Sequence, residues 1–131
     1  MSEEYTVKHL EEAPDVLGDY PGEMRFLAKP LETKQVALTW RLVKPGTGGR
    51  GSYGHRHKTH EEIYFVIEGT VQFKLEDECL DLGSGTVVCC APEVVRSVWN
   101  EGPDDGVLIV VGPRSDDPGA DVEKVEGFWP A

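Results

Sequence analysis

A β-sandwich or barrel that closes upon itself is the fold this sequence predicts, and three observations predict it. From Glu23 onward, short β-branched and aromatic runs recur, the composition of half-buried strands. Glycine, proline and acidic clusters punctuate them at short intervals. No segment longer than a turn or two carries a 3.6-residue apolar period, so helices are not expected. About eight strands without helices must bury their faces by stacking two sheets or closing a barrel.

Residues 1–20 are acidic and weakly periodic, an arm with one short strand at Thr6–Leu10. Further strands are expected at Met24–Ala28, Gln35–Val43, Glu62–Ile67, Thr70–Leu75, Glu78–Leu82, Thr86–Cys90, Val94–Trp99 and Val107–Val111. Glu68-Gly69-Thr70 and Asp77 sit where hairpin turns are needed, and Gly83-Ser84-Gly85 and Glu101-Gly102-Pro103-Asp104 are strong breaks. The glycine-rich loop Lys44–Gly51 lacks the Gly-Lys-Ser/Thr ending of a phosphate loop. It leads into a stretch that also reads as extended.

Strand alternation assigns faces. With Glu62 inward, Tyr64 and Val66 share its side, while Ile63, Phe65 and Ile67 face away. Val36, Leu38, Trp40 and Leu42 share one side of the strand 35–43, with Ala37 and Val43 on the other. An apolar outer face needs a cover. A homodimer through these outward residues is expected, with a fold-back of Phe128-Trp129-Pro130 as the alternative.

At 131 residues the chain is expected to form one domain. Its net charge of −11 disfavours phosphate backbones and anionic lipid, so neither nucleic-acid nor membrane partners are expected. No apolar run has transmembrane length. Met1–Tyr5 lacks the basic and apolar regions of a signal peptide. Cys79, Cys89 and Cys90 are odd in number and do not suggest a secreted disulfide framework. They read as small packing residues, and the cytoplasm is the expected home.

The chemistry concentrates in Gly49-x5-His55-x-His57-x4-Glu62-x6-Gly69. Residues two apart on a strand share a face, so His55 and His57 project together. A turn through Lys58–Glu61 can return Glu62 beside them. Two neutral imidazoles and a carboxylate form the facial set of non-haem iron sites and also suit other first-row metals. As plain polar residues they would only decorate a loop and a strand start. His60 lies in the turn, so surface is expected for it, with a role at the pocket mouth as the exception.

This stretch fits the first motif of the cupin superfamily, G-x5-H-x-H-x4-E-x6-G, at every specified position. The second motif, G-x5-P-x-G-x2-H-x3-N, aligns from Gly85 to Asn100, but Ala91, Glu93 and Arg96 replace its proline, glycine and histidine. The resemblance implies an all-β double-stranded β-helix (jelly-roll), with a barrel over residues 24–112, an arm 1–23 and a tail 113–131. It also implies a divalent ion (iron, manganese, zinc, nickel or copper) at His55, His57 and Glu62. In metal-binding cupins a histidine at the position of Arg96 is the fourth ligand. Arginine has only donors and cannot ligate a cation. Either the three remaining ligands hold the metal while Arg96 binds an anionic substrate group, or Arg96 pairs with Glu62 in a metal-free pocket, or it turns outward as a plain surface charge. Tyr64 and Trp40, if inward, would line the site. The function expected is an enzyme of dioxygenase or isomerase type on a small polar or anionic molecule. The alternatives are a non-catalytic small-molecule binder and a metal-free isomerase or epimerase with His55 or His57 as base.

Overall fold

Strands whose side chains alternate in direction have two faces to bury, and this chain meets that need with two facing sheets. The computed structural model describes residues 4–131. Among them the strands are β1 (Glu23–Phe26), β2 (Val36–Val43), β3 (Thr47–Gly48), β4 (Ser52–His57), β5 (Glu62–Glu68) and β6 (Thr70–Leu75). They continue with β7 (Glu78–Gly83), β8 (Val87–Cys90), β9 (Arg96–Asn100), β10 (Gly106–Pro113) and β11 (Val122–Trp129). One sheet has the order β1-β2-β10-β5-β8 and the other β11-β4-β9-β6-β7, with β3 also paired to β9. Every pairing between these strands is antiparallel. From β4 to β10 the chain passes repeatedly between the sheets, which makes the expected jelly roll.

Val43, Tyr64, Val66, Val71, Phe73, Cys90, Val98 and Leu108 form the core between the sheets. Tyr64 meets Phe73 edge-to-face, with ring centroids 5.5 Å apart. On the far side of the first sheet Trp40 pairs with Ile109, which pairs with Phe65, which pairs with Val87. Val36, Ile63, Phe65 and Val87 are exposed there. The alternation expected for β5 therefore holds: Tyr64 and Val66 point in, Ile63 and Phe65 out.

Four details differ from the sequence reading. The strand expected at Thr6–Leu10 is absent; instead Leu10–Glu12 forms a 3-10 turn, capped by His9, whose Nδ1 accepts from the Glu11 N–H. A one-turn helix, α1 (Ala28–Leu31), follows β1, stopped by Glu32 in the left-handed region. Gly69 does not close a hairpin: β5 and β6 belong to different sheets. Its φ of +72° and the Asp105 carbonyl, 2.3 Å from where a Cβ would stand, explain glycine at this crossing. Finally, the tail contains β11, an edge strand on β4 interrupted by a register shift between Val125 and Trp129. Its apolar residues, Val122, Val125, Phe128 and Trp129, do not alternate with the charged ones, so it carries little strand signal of its own.

Candidate metal centre

The geometry of the site follows from two strands and a turn. Gly54 and His57 are buried on β4, and His57 stands in register with Val122 of β11 while His55 stands opposite both Lys124 and Arg96. Paired residues share a face, so His55, His57 and Arg96 all point between the sheets. Lys58–Glu61 then turns the chain across to β5, which brings Glu62 from the other sheet.

Glu62 Oε1 is the meeting point. It lies 3.1 Å from His57 Nε2, 3.7 Å from His55 Nε2 and 2.8 Å from Arg96 Nη2. The Tyr64 hydroxyl donates to it at 3.0 Å. Burial disfavours the ionised Glu62 carboxyl, but the hydrogen bond from His55, the adjoining His57 ring and the Arg96 guanidinium outweigh it and hold the group down to about 2. Tyr64 is pushed far the other way, mainly by burial and then by the Glu62 charge, so its hydroxyl stays protonated as a donor.

Behind His57 stands Asp121, at the end of a 3-10 turn over Pro118–Asp121. His57 Nδ1–H donates to its Oδ2 at 3.0 Å. Thr59 Oγ1 and the Thr59 and His60 N–H groups donate to the same carboxylate, at 2.6, 3.0 and 3.0 Å. Burial opposes its charge, but these hydrogen bonds prevail and keep Asp121 well below the usual carboxylate range. His60 is stacked on His57, with ring centroids 5.8 Å apart and planes 26° apart. The turn histidine is thus half-buried beside the site, the exception allowed for it rather than bare surface.

These residues fit a divalent ion. The ligand atoms of His55, His57 and Glu62 all lie within 4.8 Å of one another, a cluster tight enough to converge on one ion with small side-chain adjustments. With Nδ1 committed to Asp121, the lone pair of His57 is left on Nε2, a buried atom without a hydrogen-bond partner. A carboxylate–histidine pair of this kind fixes the tautomer of metal-ligating imidazoles. The second group, His57, His60 and Asp121, is equally compact, but three donors besides His57 already occupy its carboxylate, so it braces the first.

Of the other residues singled out in the sequence, Tyr64 points inward as a core residue, with its hydroxyl on Glu62. Arg96 is inward and buried, but its donors are spent. They go to Pro92 O, Val94 O, the Tyr64 oxygen and Glu62, so it holds Glu62 in place and has little left for a substrate anion. Trp40 is not brought to the site; its register with Ile109 and Phe65 puts it on the outer face. Asp121 and Thr59 were not foreseen, because an aspartate in an acidic tail carries no signal of its own. Arg41 also escaped notice, although it shares the parity of Ala37 and Val43 on the core face of β2.

Several solved structures resemble this one in fold. A polyketide cyclase, RemF from Streptomyces resistomycificus, aligns with TM-score 0.71 and 19% identity over 94% of this chain and 85% of its own. An uncharacterised Klebsiella pneumoniae protein with a double-stranded β-helix domain aligns with TM-score 0.69 and 18% identity, over 92% of this chain and 96% of its own. A candidate sugar phosphate isomerase from Acidithiobacillus ferrooxidans aligns with TM-score 0.61 and 20% identity over 72% of this chain, which spans only 60% of that protein. No curated protein matches the sequence. The family model of the cupin domain matches residues 41–112, more than half of the 131 residues, and the chain is therefore a member of the cupin family.

Proposed function

We propose that this cupin is a metal-dependent enzyme acting on a small polar or anionic molecule, with a divalent ion held by His55, His57 and Glu62. One observation carries the reading: His57 Nε2 is buried without a hydrogen-bond partner, 3.1 Å from Glu62 Oε1, and Asp121 fixes the tautomer that leaves its lone pair there. Three protein ligands leave positions for water or substrate. The ion would supply Lewis acidity toward a carbonyl or enediol oxygen.

The chain's own residues supply positioning. Arg96 and Tyr64 fix the Glu62 carboxylate and favour its ionised form, and Asp121 orients His57. The neighbours named as a polyketide cyclase and a candidate sugar phosphate isomerase are in keeping with an enzyme.

A second reading, a metal-free binding pocket, is favoured by the Arg96–Glu62 contact of 2.8 Å, which places a cation against a would-be ligand. Metal analysis of the purified wild type and of His57→Ala separates the two. Stoichiometric metal in the wild type and its loss in the variant support the enzyme reading. No metal in either protein overturns it in favour of the metal-free pocket.

A further inference from the structure

Two arginines stand on inner faces of the two sheets, and only one of them is used by the protein itself. Arg96 spends its donors on Glu62, Tyr64 and two carbonyls. Arg41 stands on β2 in register with Leu108, which pairs with Val66. Leu108 and Val66 are fully buried core residues, so Arg41 leaves the sheet on the same inner face. Its Nε is buried without a hydrogen-bond partner. Among the described residues, no hydrogen bond or ion pair reaches its guanidinium.

Such an arrangement is costly, because a half-buried cation without a counter-charge loses hydration and gains no ion pair in return. Burial indeed lowers the Arg41 pKa, while the nearby Tyr20, Tyr64 and Tyr53 oppose the shift. Arginine nonetheless remains a cation. Two of these tyrosines already have other partners. The Tyr20 hydroxyl donates to Gly48 O and accepts from Gly48 N–H, and the Tyr64 hydroxyl is shared between Glu62 and Arg96. The Arg41 donors therefore stay available for a ligand.

Arg41 and the candidate metal centre share neighbours, since Tyr53 and Tyr64 act on the Arg41 charge. Tyr53 precedes His55 by two residues on β4, and Tyr64 follows Glu62 by two on β5. Each tyrosine thus shares a strand face with a member of the triad, about 7 Å along from it.

The geometry points to Arg41 as the anchor for the carboxylate of a small hydroxy- or keto-acid whose oxygen function, a few atoms away, faces His55, His57 and Glu62. A planar guanidinium matches a carboxylate through two parallel hydrogen bonds. One positive charge balances a monoanion better than a phosphate dianion, the more so in a chain of net charge −11. This assignment deepens the proposed function, and it rests on the reading of the barrel mouth as a small-molecule site.

The test compares wild type, Arg41→Met and Arg41→Lys. Each is titrated with pyruvate, neutral pyruvamide and inorganic phosphate by ligand-observed NMR, and melting temperature and metal content are measured alongside. Pyruvate is expected to bind the wild type more tightly than either other probe. Its Kd should rise at least ten-fold in Arg41→Met and by less in Arg41→Lys. Ligand-free Arg41→Met should melt above the wild type, because a structural arginine would show the opposite sign. Unchanged pyruvate binding in Arg41→Met, phosphate binding tighter than pyruvate, or a lower melting temperature of Arg41→Met overturns the assignment. Metal content keeps the two readings apart. Metal-free protein with Arg41-dependent pyruvate binding sinks only the metal centre; metal-loaded protein indifferent to Arg41→Met sinks only the anchor.

Discussion

Single residues decide the chemistry of the mouth, and Glu62 is the most heavily contacted of them. Its carboxyl is held at about 2 against an ordinary 4.5. A folded pKa below the unfolded one gives stability that is fully present above pH 4.5 and is lost as pH falls toward 2. Metal-free wild type should therefore exceed Glu62→Gln in stability by about 2–3 kcal/mol near pH 6. The gap should close between pH 4.5 and 2, as read by denaturant melts across that range. Asp121→Asn tests the brace behind His57. It removes a charge while keeping the size, so metal affinity should drop about 10–100-fold with the barrel intact, measured by competition with a chromophoric chelator. The cluster was legible because strand alternation and the return turn leave His55, His57 and Glu62 little choice of direction. Arg96 was legible only in part. Its inward direction followed from the motif, but its partners depend on Pro92 and Val94 carbonyls, which no spacing reveals.

At the level of elements, β11 is the surprise, and β4 explains why it can dock. A Cβ on Gly54 would lie 2.4 Å from Phe128 Cδ2 and 2.9 Å from Arg96 O, so the bare glycine lets Phe128 settle on β4 beside β9. Gly54→Ala should destabilise the fold by about 1–3 kcal/mol in urea titration. It should also weaken metal binding, since it pushes away the strand that follows Asp121. The sequence patterns of β5 and β6 identify them because core residues alternate cleanly there. The pattern of β11 does not, since an edge strand borrows its order from the neighbour it pairs with. Gly69 was seen as a turn but assigned to the wrong kind, because the same dipeptide chemistry serves a hairpin and a crossing between sheets.

For the molecule as a whole, the outer face of the first sheet sets an expectation about assembly. Ile63, Phe65 and Val87 are 40%, 40% and 56% exposed, a contiguous apolar strip that an isolated domain would present to water. A second copy packed on this strip is the expected cover. Light scattering at micromolar concentration should give the dimer mass for the wild type and the monomer mass for Phe65→Glu; a monomeric wild type would refute the assembly. Jelly-roll closure could be inferred from strand count and breaks alone. Strand order could not, because it rests on pairings such as β2 with β10, residues far apart in the chain. No helix among the described residues is long and apolar enough to cross a membrane.

The position of Asp121 also bears on timing. Edge strands open more readily than the strands they flank, and β11 has only β4 as a neighbour. When it frays, the neighbouring carboxylate that fixes the His57 tautomer can leave with it, while the core around Phe73 and Val66 stays closed. Loading and release of an ion at this centre can then proceed through a local opening. For an ion held as proposed, the rate of exchange should track amide hydrogen exchange at Val122–Val125 and ignore global stability, so that ion would be renewed without global unfolding.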